Sequence, residues 1–265
     1  MQTVLQIFLS SILALSLMAS SAFALALGRN ITIYDGVSNS QNWYGINEDQ
    51  EVEPGCVANQ SWDLEGFFLN GSMLTMVGGF DFENGHPNHP GQTQSDMFID
   101  IDNDARYGTA NTGSQSGDGY QEIMDNFNYE YAINFNFADN TYNLFGLSGA
   151  STVSVIFDQN EESNPLKYVS GGETLNGGSF SYYTGLTDSD VGGLEGGLHN
   201  AISLNLGIGN IPGVDLEKFT AHYTMYCGND NLMGSPVPEP ASMMLFGTGL
   251  IGLAAFTRRK LNFKK

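Results

Sequence analysis

From Trp62 onward, apolar side chains recur at every second position rather than every 3.6, which restricts the chain to strands. Tyr129, Tyr131, Ile133, Phe135 and Phe137 would share one face of an extended segment, with Glu130, Ala132, Asn134 and Asn136 on the other. The same beat runs through Val153, Val155 and Phe157, through Ile202, Leu204, Leu206 and Ile208, and through Phe219, Ala221, Tyr223, Met225 and Cys227. Clusters of Asn, Gly and Asp separate these runs, and Ala138-Asp139-Asn140 before Thr141 predicts a hairpin. Helical spacing occurs in one stretch, with Thr187 as a cap, Asp190 three residues on, and then Val191, Leu194, Leu198 and Ala201. Gly192, Gly193, Gly196 and Gly197 each cost about 1 kcal/mol inside a helix, so only a short or irregular one is expected. Short strands joined by glycine-rich turns imply an all-β fold, an antiparallel β-sandwich of jelly-roll or carbohydrate-binding-module type.

The two ends obey different rules. Residues 1–26 read as a signal peptide: an apolar run through Val4, Leu5, Ile7, Phe8, Leu9, Ile12, Leu13, Leu15 and Leu17 leads to Ala22-Phe23-Ala24-Leu25-Ala26. Cleavage after Ala24 and after Ala26 both fit the Ala-x-Ala pattern, and export through the Sec translocon follows. At the other end, Val237-Pro238-Glu239-Pro240-Ala241 precedes an apolar run from Met243 to Phe256 and a basic cluster, Arg258-Arg259-Lys260. As a helix, residues 241–256 would span about 24 Å, enough for a transient membrane stop whose basic end stays in the cytoplasm. The expected layout is a β-sandwich ectodomain over 27–230, a spacer over 231–236 and a sorting signal with a single transmembrane helix over 237–265.

Five of the nine basic residues lie in that tail, leaving Arg29, Arg106, Lys167 and Lys218 against 28 acidic residues in the mature region, a net charge of −24. Such a surface repels nucleic acid and anionic lipid and attracts cations. In an oxidising compartment, Cys56 and Cys227 are expected to form a disulfide that closes most of the mature chain into one loop.

The aspartates of Asp96-Met-Phe-Ile-Asp100-Ile-Asp102-Asn-Asp104 would share one strand face about 7 Å apart, where like charges repel unless a cation or backbone amides compensate them. Oxygen donors alone suit Ca²⁺, so Asp96, Asp100, Asp102 and Asp104 are the candidate ligands, with Glu122, Asp118 or Asp125 able to join. Ala105 and Asn111 break the EF-hand pattern, and the alternative is a solvated turn whose aspartates accept from their own backbone. His86 and His89 lack a third clear ligand, and Trp62 reads as core rather than as a sugar platform. No nucleophile elbow, paired Cys-His or phosphate loop is present, so no catalytic residues are assigned.

The Pro-Glu-Pro box, the glycine-bearing apolar segment and Arg258-Arg259-Lys260 together resemble the PEP-CTERM sorting signal of Gram-negative bacteria. The resemblance implies processing by a membrane-embedded exosortase, a transient membrane anchor, and then the cell surface or the extracellular space, often among exopolysaccharide producers. The ectodomain is similar to one group of exosortase-dependent surface proteins through Trp62-Asp-Leu-Glu-Gly66, the Asp96–Asp104 segment, Tyr129-Glu-Tyr131-Ala-Ile, Gly185-Leu-Thr-Asp-Ser-Asp190-Val-Gly-Gly and Cys227-Gly-Asn-Asp-Asn231. Its layout is also similar to that of family 9 carbohydrate-binding modules. The expected function is a non-catalytic binding or structural β-domain of the exopolysaccharide or biofilm matrix, with extracellular polysaccharide as partner. The alternatives are a secreted polysaccharide hydrolase and a purely structural biofilm component.

Overall fold

The computed structural model describes residues 25–34, 48–53, 55–86, 88–89, 95–106, 119–124, 127–155, 163–207 and 210–236. Most of the signal peptide, Trp43, Asp118, Asp125 and the segment 237–265 lie outside them. Twelve strands form one antiparallel sheet: β1 (Arg29–Asn30), β2 (Thr32–Ile33), β3 (Leu64–Asn70), β4 (Met73–Gly78), β5 (Met97–Asp100), β6 (Tyr120–Met124), β7 (Tyr131–Asn136), β8 (Thr141–Val155), β9 (Lys167–Leu186), β10 (His199–Asn205), β11 (Thr220–Thr224) and β12 (Asn231–Gly234). They follow the order β1-β3-β4-β10-β9-β8-β7-β5-β11-β12-β2, with β6 added against β8.

The all-β, antiparallel expectation is met, but in place of two stacked sheets a single sheet curls almost into a barrel. Two features produce the curl. Strand β9 pairs with β8 through Lys167–Ser179 and with β10 through Phe180–Leu186, so one long strand carries the sheet around a corner. At that corner a Cβ on Gly177 would collide with the Tyr142 carbonyl, so only glycine lets the two backbones approach. The second feature is a seam. Ile31, between β1 and β2, donates its amide to Phe67 O on β3, and its carbonyl accepts from Ser235 N beyond β12 (2.9 and 2.8 Å).

Alternation sorted the core correctly for Ile202, Leu204 and Leu206 and for Phe219, Ala221, Tyr223 and Met225, all fully or almost fully buried in the barrel interior. Trp62 is core as expected. The hairpin at Ala138–Asn140 joins β7 to β8, with Asn140 in the left-handed region. On β7 the outer face is covered as well: Tyr129, Ala132, Phe98, Phe127, Leu147 and Ala150 make a second, smaller core.

Two expectations fail. No helix forms over 187–201, because Gly192, Gly193, Gly196 and Gly197 all take positive φ, and Asp190 instead closes a turn on the Thr187 amide and hydroxyl. A 3-10 turn at Gln60–Trp62 is the helical element among the described residues. Residues 231–236, expected as spacer, contain β12: Leu232 and Met233 are buried and Gly234 packs on the Phe67 ring, a strand too short and Asn/Gly-flanked to show alternation.

Candidate functional site

Strand β5 ends at Asp100, and the chain then turns sharply, so the four expected aspartates do not share a strand face. Asp100 accepts from the amides of Asp102 (2.9 Å), Asn103 (2.7 Å) and Ala105 (3.1 Å), which fixes the turn; Asn103 has φ 66°. Asp102 and Asp104 project from that turn into solvent. Glu130, just before β7, joins them: its Oε2 accepts from Ile101 N at 2.7 Å, and one oxygen from each of Asp100, Asp102, Asp104 and Glu130 falls within 4.8 Å of the others. Desolvation first, and then the charges of Asp100, Asp102 and Asp104, raise the Glu130 carboxyl. Desolvation and then Asp102 act on Asp104 in the same direction.

Asp96 is elsewhere. It is fully buried at the start of β5, where it accepts from Asn134 Nδ2 and Tyr168 N, both at 2.8 Å, and burial pushes its carboxyl up to about 6. A carboxylate with both oxygens engaged inside the protein belongs to the sheet rather than to the acidic turn. Glu122 likewise points away, accepting from Ser151 Oγ on β8.

Beside the acidic turn runs an open groove of about 830 Å³, lined by Asp104, Asn128, Glu130, Tyr131, Leu147, Glu173, Leu175 and Pro212 among others. Tyr131 crosses it, its hydroxyl donating to Pro212 O at 2.9 Å. Burial and then the charges of Glu130 and Glu173 raise that phenol. The groove therefore offers an aromatic ring, apolar floor and several carboxylate acceptors, a surface that can stack on a sugar ring and accept from its hydroxyls.

A second acidic group has no counterpart in the sequence reading. Asp63 and Glu65, flanking the first residue of β3, and Asp49 bring carboxylate oxygens within 4.8 Å of one another. Asp63 accepts from Gln50 N (3.0 Å) and Glu51 N (3.3 Å), which docks the segment 48–53 onto the sheet. Asp230 Oδ2 accepts from Leu64 N at 2.5 Å. Glu65 is bound by His199 Nδ1 at 2.7 Å, while His199 Nε2 meets Asp188 at 3.0 Å. Burial opposes a charged His199, yet hydrogen bonds to the two carboxylates outweigh it and raise its pKa, so the imidazolium is held between them. Asp63 and Asp230 are pushed well above the usual carboxylate range, first by burial and then by neighbouring negative charges. The residues come from positions 48 to 230, so no local motif could have announced the group; the available signal was Trp62-Asp63-Leu64-Glu65, acids alternating with apolar residues on a core strand.

Comparison with known proteins bears on the C-terminal end. Residues 236–260 match the family described as the PEP-CTERM protein-sorting motif. The chain carries that motif. It implies an exported surface protein targeted by an exosortase. No curated protein matches the chain significantly, and no solved structure does.

The matched span of this PEP-CTERM protein includes Val237, Pro238, Glu239, Pro240, Ala241, Arg258, Arg259 and Lys260, all outside the described residues, as is the apolar run Met243–Phe256. Among the described residues no helix is long and apolar enough to cross a membrane. Of the two signal-peptide positions, Ala24 lies outside the described residues, while Ala26 O accepts from Asn70 Nδ2 and Leu25 N donates to Asp190 O. The expected disulfide is not present: Cys56 and Cys227 are both thiols. The topology brings them into one neighbourhood, but Cys56 Sγ is turned to the Gly228 carbonyl at 3.8 Å. Burial pushes the Cys227 thiol up to about 11, which leaves little thiolate to react. His86 and His89 both pack on the Trp62 ring, His86 stacked at 4.4 Å between ring centres, and the His86 Nδ1 accepts from Asn88 N.

Proposed function

We propose that this surface protein is a non-catalytic β-domain of the extracellular matrix that binds polysaccharide in the groove beside the acidic turn. The groove itself carries the reading: a Tyr131 ring, apolar Leu147 and Leu175, and acceptors on Glu130, Asp104 and Glu173 converge in an open trough, which suits a long chain rather than a small enclosed ligand. With a net charge of −24 on the mature region, neutral glycans bind directly and acidic ones need a bridging cation. Asp102, Asp104 and Glu130 supply that cation contact, a weak solvent-facing Ca²⁺ site, since Asp100 is occupied by three backbone amides.

The polysaccharide is extracellular, the Sec translocon and exosortase are the processing partners, and the anchor is transient. Signal-peptide cleavage falls after Ala24, because cleavage after Ala26 would discard the Leu25 and Ala26 hydrogen bonds to Asp190 and Asn70. The intact mass of the protein recovered from whole cells reports both ends: Leu25 as first residue and loss of the basic tail are expected, and a full-length mass contradicts the processing.

A glycan array with and without Ca²⁺ tests the binding. Tyr131→Ala is expected to abolish capture, and capture unaffected by it removes the groove from the reading. A hydrolase is the second reading, because Glu130 and Glu173 both line the trough and the Glu130 carboxyl is raised. Glycan turnover that Glu130→Gln abolishes would establish it in place of simple binding.

A further inference from the structure

Glu48, Glu51, Asp63, Glu65 and Asp230 are each at most 4 % exposed. The charges that act most strongly on Asp63 and Asp230 are all negative: Glu65 and Asp49 on the first, Glu51, Asp63 and Glu48 on the second. The one cationic side chain placed against the group, His199, serves Glu65 and Asp188 rather than Asp230. Burying like charges together is unfavourable by several kcal/mol unless they are neutralised or compensated. One atom identifies which of these happens. Asp230 Oδ1 is fully shielded from solvent and has no hydrogen-bond partner, although the other oxygen of the same carboxyl is bound to Leu64 N. The neighbours whose charges press on it are Glu51, Asp63 and Glu48, so the orphan oxygen faces the acidic group. A protonated carboxyl would turn its hydroxyl to one of those acceptors; an oxygen left bare among carboxylates is placed for a metal ion.

We infer that Asp63 and Asp230, with Glu51 from the docked segment, form a buried Ca²⁺ site that ties the segment 48–53, the start of β3 and the approach to β12 into one unit. Carboxylate oxygens alone favour a hard cation, and their number and irregular arrangement favour Ca²⁺ over the strictly octahedral Mg²⁺. Backbone amides from Gln50, Glu51 and Leu64 already orient two of the carboxylates, which is the role outer partners play at metal sites. This site is separate from the exposed turn at Asp100–Asp104 and does not depend on glycan binding.

The test uses mature protein recovered from cells, stripped with EDTA and titrated with Ca²⁺ or Mg²⁺ by calorimetry, with thermal melting in parallel. A Ca²⁺ site is expected that survives the double change Asp102→Asn and Asp104→Asn but is weakened on the order of 100-fold by Asp230→Asn. Stripped Asp230→Asn is expected to melt no lower than stripped wild type, since it loses a buried like charge and keeps its shape. Equal Ca²⁺ affinity in wild type and Asp230→Asn overturns the inference, as does binding that vanishes in the double variant or no binding at all. Were Asp230→Asn not to fold, Tb³⁺ luminescence excited through tryptophan decides on the wild-type fold. Sensitisation lost in Trp62→Phe supports a site beside Asp63, and sensitisation unchanged in that variant overturns it.

Discussion

The turn after β5 and the group around Asp63 are both gatherings of carboxylates, yet one is washed by solvent and the other is sealed under the sheet. In the turn, Asp102 and Asp104 keep their hydration, and Asp100 finds three backbone amides within five residues of itself. Repulsion there is screened, and the arrangement is satisfied by local chain geometry. Around Asp63 no water relieves the charges, and the partners arrive from three separate stretches of chain: Gln50 and Glu51, Leu64 with Asp230, and His199. The same functional group thus serves as a turn former in one place and as a cross-link in the other.

Removing a partner from each region breaks the comparison most directly. His199→Ala strands Glu65 in the interior and is expected to lower stability by about 3–5 kcal/mol in urea unfolding. A loss below about 1 kcal/mol would mean that water reaches Glu65 after all, making the two regions alike. Asp96, a buried carboxylate apart from both, calibrates the cost of burial. Its native pKa of about 6 exceeds the unfolded value of 3.8, so the native state holds the proton longer and wild-type stability falls as pH rises between the two. Relative to Asp96→Asn, wild type is expected to lose about 3 kcal/mol from pH 4 to pH 6, and a constant difference would show that Asp96 is not desolvated.

Smaller effects are expected in the turn. Asp100→Ala leaves three amides to water and should lower stability by about 1–3 kcal/mol, with hydrogen exchange at Asp102, Asn103 and Ala105 rising ahead of the sheet. Asp102→Asn with Asp104→Asn should change stability by less than about 0.5 kcal/mol, since both side chains are exposed. A larger loss in metal-free buffer would mark the turn as structural.

How much could be read beforehand divides along the same line. Alternation at period two exposed the strands around Phe219–Met225 and Ile202–Leu206, because a half-buried strand writes its face directly into the residue order. The acidic turn was visible for the same reason, its members being neighbours in the chain, although Asp96 was assigned to it and Glu130 was not. Both errors come from treating 96–104 as one straight strand; the chain turns at Asp100, which strands Asp96 at the far end of β5 and admits a residue from the edge of β7. Closure of the sheet and the Asp63 group depend on pairings between residues far apart in the chain, as between Leu64 and Asp230, and no short-range pattern encodes those. Strand β12 escaped because four residues flanked by Asn and Gly carry the composition of a linker, while their burial comes wholly from β11 and β2 on either side.

The seam at Ile31 also sets a timetable. Its two hydrogen bonds reach Phe67 and Ser235, so the first strand of the domain completes its pairing only with the last, about 200 positions later and one residue short of the sorting motif. A chain threaded outward from its N-terminus can assemble β3 through β11 in transit. It cannot shut the barrel until the segment bearing the address for sorting has itself arrived at the membrane. Completion of the fold and presentation of that address are then one event, and a chain truncated before residue 231 would be exported open.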